Sequence, residues 1–191
     1  MSKLAVVTGG TRGIGLAISQ ALLDQGHKVA AVYHGNEEAA EAFRQKDGAS
    51  AYKFDVADYE SCQNGIEQIR QEQSDVSILV NNAGINYDTW QKATDPDLEN
   101  VQQTLETNLI GPWRMAKAFI PLMRKNGYGR IVNVSSGAGA IEGMGAGTPA
   151  YSVSKAALNV MNIKLAAELS GSGILVNAVC PGWVRTDMGG A

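Results

Sequence analysis

Metal centres and disulfide frameworks need thiols and imidazoles, and this sequence has few of either: two cysteines and two histidines. Cys62 and Cys180 lie far apart without ligand spacing, and His27 and His34 are too few for a histidine site, so no metal is expected. Basic blocks are also missing. With 16 Lys and Arg against 19 Asp and Glu, the net charge is −3, a poor balance for binding nucleic acid. No apolar run reaches the length of a signal core or a membrane span, because the opening MSKLAVV meets Gly9 and Gly10 at once. A cytoplasmic protein with reduced thiols, no membrane association and no nucleic-acid partner is therefore expected. No repeat, low-complexity stretch or linker divides the chain, and residues 1–191 are expected to form a single domain.

What is present is a regular alternation of short apolar runs with longer helical stretches. Strands are expected over 3–8, 28–33, 52–56, 76–81, 130–135 and 174–179. Helices are expected over 14–25, 37–46, 59–73, 98–125 and 150–169. Near-continuous apolar strands separated by helices imply an α/β fold, a doubly wound parallel sheet of Rossmann type covered on both faces. Ligands of such sheets sit beyond the carboxyl ends of the strands. The glycine-rich stretch 137–147 is the longest loop, and loops of that length tend to carry function.

Between the first strand and first helix stands Thr8-Gly9-Gly10-Thr11-Arg12-Gly13-Ile14-Gly15. Glycines there let the backbone turn tightly and approach a pyrophosphate, and the helix start offers free N–H groups to it. No Gly-Lys-Ser/Thr follows, which excludes a Walker phosphate loop. Later, Tyr151-Ser152-Val153-Ser154-Lys155 places a phenol and an ammonium four residues apart, on one face of a helix.

These segments resemble the short-chain dehydrogenase/reductase family. Thr-Gly-x-x-x-Gly-Ile-Gly matches its glycine fingerprint, and Tyr151-x-x-x-Lys155 its catalytic pair. Asn81-Asn82-Ala83-Gly84 resembles the turn lying against the adenosine side of the cofactor. Ser136 and Asn108 occupy positions resembling the family's catalytic serine and asparagine. Pro181-Gly182-Trp183-Val184-Arg185-Thr186 is similar to the segment whose threonine contacts the nicotinamide. Asp55-Val56 resembles the adenine-contacting pair. The resemblance implies a cofactor cradle of Thr8, Gly9, Thr11, Arg12, Gly13, Ile14, Gly15, Tyr33, His34, Asp55, Val56, Asn82, Ala83, Gly84, Tyr151, Lys155, Pro181, Gly182, Val184 and Thr186. It implies a tetrad of Asn108, Ser136, Tyr151 and Lys155. In it Tyr151 is the general acid of reduction, Lys155 lowers the phenol's pKa and holds the ribose, Ser136 polarises the carbonyl, and Asn108 positions a water.

The end of the second strand reads Val32-Tyr33-His34-Gly35-Asn36, with no carboxylate before Glu37 to accept from a ribose 2′-hydroxyl. Arg12 can reach the same corner as a cation, which favours a 2′-phosphate and so NADPH over NADH. The first half is similar to acetoacetyl-CoA and 3-oxoacyl reductases. The later half departs from them: Ser136 and Tyr151 are fifteen positions apart, and the loop between resembles carbonyl-reductase-like members. A ketone or aldehyde is expected as substrate, a 3-oxoacyl thioester being one candidate. Apolar residues spread around the helix at 150–169 imply burial on two sides and, by the resemblance, a homodimer or homotetramer. The family's seventh strand and lid helix do not follow the Pro-Gly segment, so the C-terminal strand is expected to be missing. A truncated or catalytically weak nucleotide binder is the second reading. A methyltransferase on a similar sheet would not need the Tyr-Lys pair.

Overall fold

The structure, a computed structural model, describes residues 2–73, 75–89 and 91–186. Six parallel strands form one sheet in the order β3-β2-β1-β4-β5-β6. They are β1 (Leu4–Thr8), β2 (Lys28–Tyr33), β3 (Ala49–Lys53), β4 (Val76–Asn81), β5 (Gly129–Val134) and β6 (Ile174–Val179). Helices α1 (Gly13–Asp24), α2 (Glu37–Arg44), α3 (Tyr59–Glu72), α4 (Leu98–Leu105), α5 (Gly111–Asn126) and α6 (Pro149–Glu168) connect them. β1 and β4 are buried along their whole length, as unbroken apolar strands covered on both faces must be. Two clusters of buried side chains make the core, Val6, Leu79, Phe119 and Ile131 in one, Val7, Val29, Phe43 and Val80 in the other.

Two elements differ from the sequence expectation. β3 starts at Ala49 and ends at Lys53, rather than covering 52–56. Its small residues Ala49-Ser50-Ala51 pair with Val29-Ala30-Ala31 of β2, and just past the strand Phe54 donates its N–H to Tyr33 O at 3.0 Å and buries its ring in the core. The helical region expected over 98–125 is three pieces, α4 and α5 joined by a π-helical turn at Glu106–Ile110. Such a turn inserts a residue into the helical ladder and commonly marks a functional site.

Strand order reverses between β1 and β4, which opens a crevice at their carboxyl ends. A clasp of hydrogen bonds from Asn82 and Ala83 onto Thr8 holds that point together. Asn82 N and Ala83 N donate to Thr8 Oγ1 at 2.9 and 3.0 Å, and Asn82 Nδ2 donates to Thr8 O at 2.9 Å. Beyond β3, Arg114 of α5 donates to Val56 O (3.1 Å) and Ala57 O (2.6 Å) and pairs with Glu106 at 2.9 Å, which fixes the second side of the crevice.

α3 meets the Phe54 ring at Gly65, where an added Cβ would lie 2.0 Å from Cδ1. Alanine would gain about 1 kcal/mol of helix propensity. Overpacking a buried ring costs about 1–3 kcal/mol and outweighs that gain. Gly65→Ala is therefore expected to lower the urea midpoint; an unchanged or raised midpoint would mean that the ring yields freely.

Candidate active site

An open cleft of about 1490 Å³ runs along the carboxyl ends of the strands from the glycine turn to α6. Single small-ligand pockets span roughly 300–1,000 Å³, so this one has room for a dinucleotide and a second molecule. Gly9, Thr11, Arg12, Gly13 and Ile14 line its first end. Here α1 begins with no side chain capping it, whereas Asn36, Asp58 and Asp97 cap α2, α3 and α4. The N–H groups and positive dipole end of α1 are thus left to an anion in the cleft. Thr8 and Gly15 do not line the cleft among the described residues. Thr8 holds the clasp to β4. At Gly15 a Cβ would lie 2.1 Å from Gly9 O, so the absence of a side chain lets α1 close onto the turn.

Tyr33, His34, Asn36, Asp55 and Val56 line the next corner. Glu37, the first carboxylate after β2, does not. Its oxygens accept from Tyr33 Oη (2.7 Å), Arg44 (3.4 Å) and Lys53 (3.3 Å). Asp55 does line the cleft, with Oδ1 accepting from Ala57 N at 2.9 Å and Oδ2 standing 3.8 Å from His34 Nδ1.

At the far end the cleft is lined by Asn82, Ala83, Gly84, Ser136, Tyr151, Lys155, Pro181, Gly182, Val184 and Thr186. Tyr151 and Lys155 share a face of α6, and Ser136 follows β5 by two residues. Lys155 is 4% exposed, and its Nζ donates to Val134 O at 2.8 Å, 5.6 Å from the centroid of the Tyr151 ring. Burial pushes the lysine down to about 8. The Tyr151 phenol lies above its usual value: burial raises it, a hydrogen bond from Ser136 opposes, and Cys180 raises it a little further. The sequence expectation that Lys155 lowers this pKa is corrected accordingly. With the ammonium turned onto a strand carbonyl, desolvation of the phenol governs.

Asn108 sits wholly buried in the π-helical turn and does not line the cleft. Its Nδ2 donates to Ile85 O (2.9 Å) and Ser154 Oγ (3.0 Å), and its Oδ1 accepts from Ile85 N (2.9 Å). Both amide hydrogens are engaged, so the side chain ties the loop after β4 to α6 rather than presenting a donor to a water. Sequence reasoning did not pick out Asn86, Tyr87, Thr148 and Trp183, which line the cleft beside the catalytic end. Their signal was adjacency: each stands within a few residues of a motif already singled out.

The arrangement supplies an uncapped helix start, a polar corner and a buried phenol and ammonium at successive points of one groove, which fits a phosphate-bearing dinucleotide next to a second molecule. Comparison with known proteins agrees. The family described as short chain dehydrogenase matches residues 3–191. An acetoacetyl-CoA reductase from Paracoccus denitrificans is 45% identical over 188 residues, covering 98% of this chain and 76% of the relative. The 3-oxoacyl-[acyl-carrier-protein] reductase FabG of Escherichia coli is 38% identical over 190 residues, covering 97% and 75%. Among solved structures, a short-chain dehydrogenase from Streptomyces avermitilis superposes with a TM-score of 0.90 at 33% identity, covering all of this chain and 69% of that one. The chain belongs to the short-chain dehydrogenase/reductase family and is an oxidoreductase acting on the CH–OH/C=O couple.

Proposed function

We propose that the protein reduces a ketone or aldehyde carbonyl with NADPH, and that a 3-oxoacyl thioester such as acetoacetyl-CoA is the substrate. The observation that carries this reading is the placing of Ser136, Tyr151 and Lys155 on one wall of a groove that starts at the uncapped N-terminus of α1. The similarity to acetoacetyl-CoA reductases supports the substrate class. Glu37 facing away and Arg12 and His34 facing in support a 2′-phosphate over a bare hydroxyl. Unpaired Cys62 and Cys180 suit a reducing cytoplasm.

Bound NADPH supplies the hydride; the protein orients and protonates. Gly9, Gly13 and Ile14 hold the pyrophosphate at the start of α1, and Arg12 with His34 takes the 2′-phosphate. Asp55 and Val56 face the adenine, and Pro181, Gly182, Val184 and Thr186 face the nicotinamide side. Ser136 donates a hydrogen bond to the substrate oxygen as charge builds there. Tyr151, protonated through the neutral range because burial raises it, donates its phenolic proton to that oxygen. Lys155 keeps one N–H on the Val134 carbonyl, and its other donors are left for the ribose hydroxyls and the phenolate that forms.

Among the described residues no helix is long and apolar enough to cross a membrane. α6 buries Leu158 and Met161 within the protomer but leaves Val153, Val160 and Ile163 more than half exposed, as is Trp113 of α5 at the half mark. These apolar side chains support a homodimer or homotetramer, measurable by light scattering; a monodisperse monomer at assay concentration would contradict it.

The nicotinamide absorbance tests the reaction directly. With acetoacetyl-CoA, NADPH is expected to be consumed with a kcat/KM well above that for NADH. Arg12→Ala should raise the KM for NADPH about tenfold or more, the value of a charge-assisted bond of roughly 1.5–3 kcal/mol, and leave the KM for NADH unchanged. NADPH binding without turnover of any ketone, aldehyde or thioester would favour a nucleotide-binding member instead.

The buried ammonium makes a second prediction. Lys155 titrates near 8 when folded and 10.5 when unfolded, so between these values the unfolded chain holds the extra proton. The cost of burying the charge is fully present below about pH 8 and is relieved as pH rises toward 10.5, by up to about 3 kcal/mol. Urea unfolding of the wild type against Lys155→Met should shift in favour of the wild type across that window. A pH-independent difference would contradict the buried, charged lysine.

A further inference from the structure

Tyr151 stands in the first turn of α6, and that helix start has no cap of its own. Thr148, which precedes it, lies in the left-handed region at φ 47°, alone among the described non-glycine residues, and its side chain caps nothing. Pro149 has no N–H. Ser152 N already closes the first helical bond onto Thr148 O at 2.8 Å. Within the helix, the N–H groups left without a helical partner are those of Ala150 and Tyr151.

Both are taken by one carboxylate from outside the helix. Asp88 Oδ2 accepts from Ala150 N at 2.5 Å and from Tyr151 N at 3.4 Å. Asp88 is wholly buried, and its Oδ1 has no hydrogen-bond partner among the described residues. Its segment is itself clamped. Asn108 grips both the N–H and the carbonyl of Ile85, and the Asp88 carbonyl accepts from Gln91 N at 3.1 Å. Asn108 also holds Ser154, whose hydroxyl donates to Tyr151 O at 2.7 Å. The main chain of Tyr151 is therefore fixed at its N–H by Asp88 and at its carbonyl by Ser154.

We propose that Asp88 is a positioning residue for the reduction: its carboxylate caps α6 from the loop after β4 and sets the place of the Tyr151 phenol in the cleft. It touches neither substrate nor cofactor in this role and acts only through the Tyr151 backbone. Lys155, one turn further on, is anchored separately on Val134 O, and the glycine turn proposed to hold the cofactor's phosphates lies between β1 and α1. Loss of the cap should therefore displace the proton donor and spare the cofactor.

This inference rests on the reading of Tyr151 as proton donor, so its test has an arm that needs no substrate. Amide exchange, resolved by residue in the full chain, should show Ala150 and Tyr151 protected in the wild type and losing at least about tenfold protection in Asp88→Ala, while Leu158 and Met161 keep theirs. With acetoacetyl-CoA and NADPH, Asp88→Ala should lower kcat about 30- to 100-fold, the effect of a misplaced reacting group, with the Kd for NADPH changed less than twofold. Asp88→Asn keeps an acceptor oxygen for the two N–H groups and should recover kcat to within about fivefold of wild type. It also decides the matter should the alanine variant fail to fold. The proposal is overturned if exchange at residues 150 and 151 is unaltered, if kcat and cofactor binding fall together, or if Asp88→Asn is as impaired as Asp88→Ala. A wild type that turns over none of the substrates refutes the proposed function while the exchange arm still judges the cap.

Discussion

The bond from the Lys155 ammonium to the carbonyl of Val134 is the contact on which the catalytic wall depends. It joins the middle of α6 to the last residue of β5, and Ser136 follows that residue by two. Helix and strand are thereby brought together with the phenol, the hydroxyl and the ammonium on one side. Such a contact costs desolvation, visible in the lysine held near 8. It is supported by further buried polar links along the same helix. Asn159 joins Ser135 Oγ (2.7 Å) and Gly139 O (3.2 Å) to α6. Asn162 accepts from Asn133, which accepts from Asn81, both at 2.9 Å, in a chain of amides crossing from the helix to β4. Apolar packing would tolerate a rotated or slid α6; satisfied buried hydrogen bonds admit one register.

Two helix starts face this cleft and are treated in opposite ways. α1 has no side-chain cap among the described residues, and its start lies at one end of the groove. α6 is closed by the carboxylate of Asp88, which takes the two N–H groups its first turn leaves over. The Thr8–Asn82 clasp keeps the strand ends β1 and β4 at a fixed separation between them.

Much of this was legible in the sequence because the signals are local. The alternation of apolar runs gave β2, β4 and β6 at their observed limits, and the glycine turn and the Tyr-x-x-x-Lys spacing carry their geometry with them. β3 was misplaced because Ala49-Ser50-Ala51 has no β-branched or aromatic residue, and only pairing with β2 makes it a strand. The π-helical turn left no mark because it changes one turn of the backbone ladder and no residue type in Glu106-Thr107-Asn108-Leu109-Ile110 signals it. Asp88 was invisible for a different reason: its partners lie 62 and 63 positions away, and no local pattern announces such a cap. The acidity of Tyr151 was misjudged because sequence spacing reports the neighbouring charge but not the burial opposing it.

The proposed reduction depends on the phenol of Tyr151 as the proton donor to a carbonyl held beside bound NADPH. The most direct measurement is single-turnover NADPH oxidation by Tyr151→Phe alongside its Kd for NADPH. Loss of turnover by about a thousandfold or more with the Kd kept within about threefold is the predicted result, since general acid catalysis contributes roughly 10²–10⁴-fold. Turnover within about tenfold of wild type would contradict the account, because the proton would then come from another group.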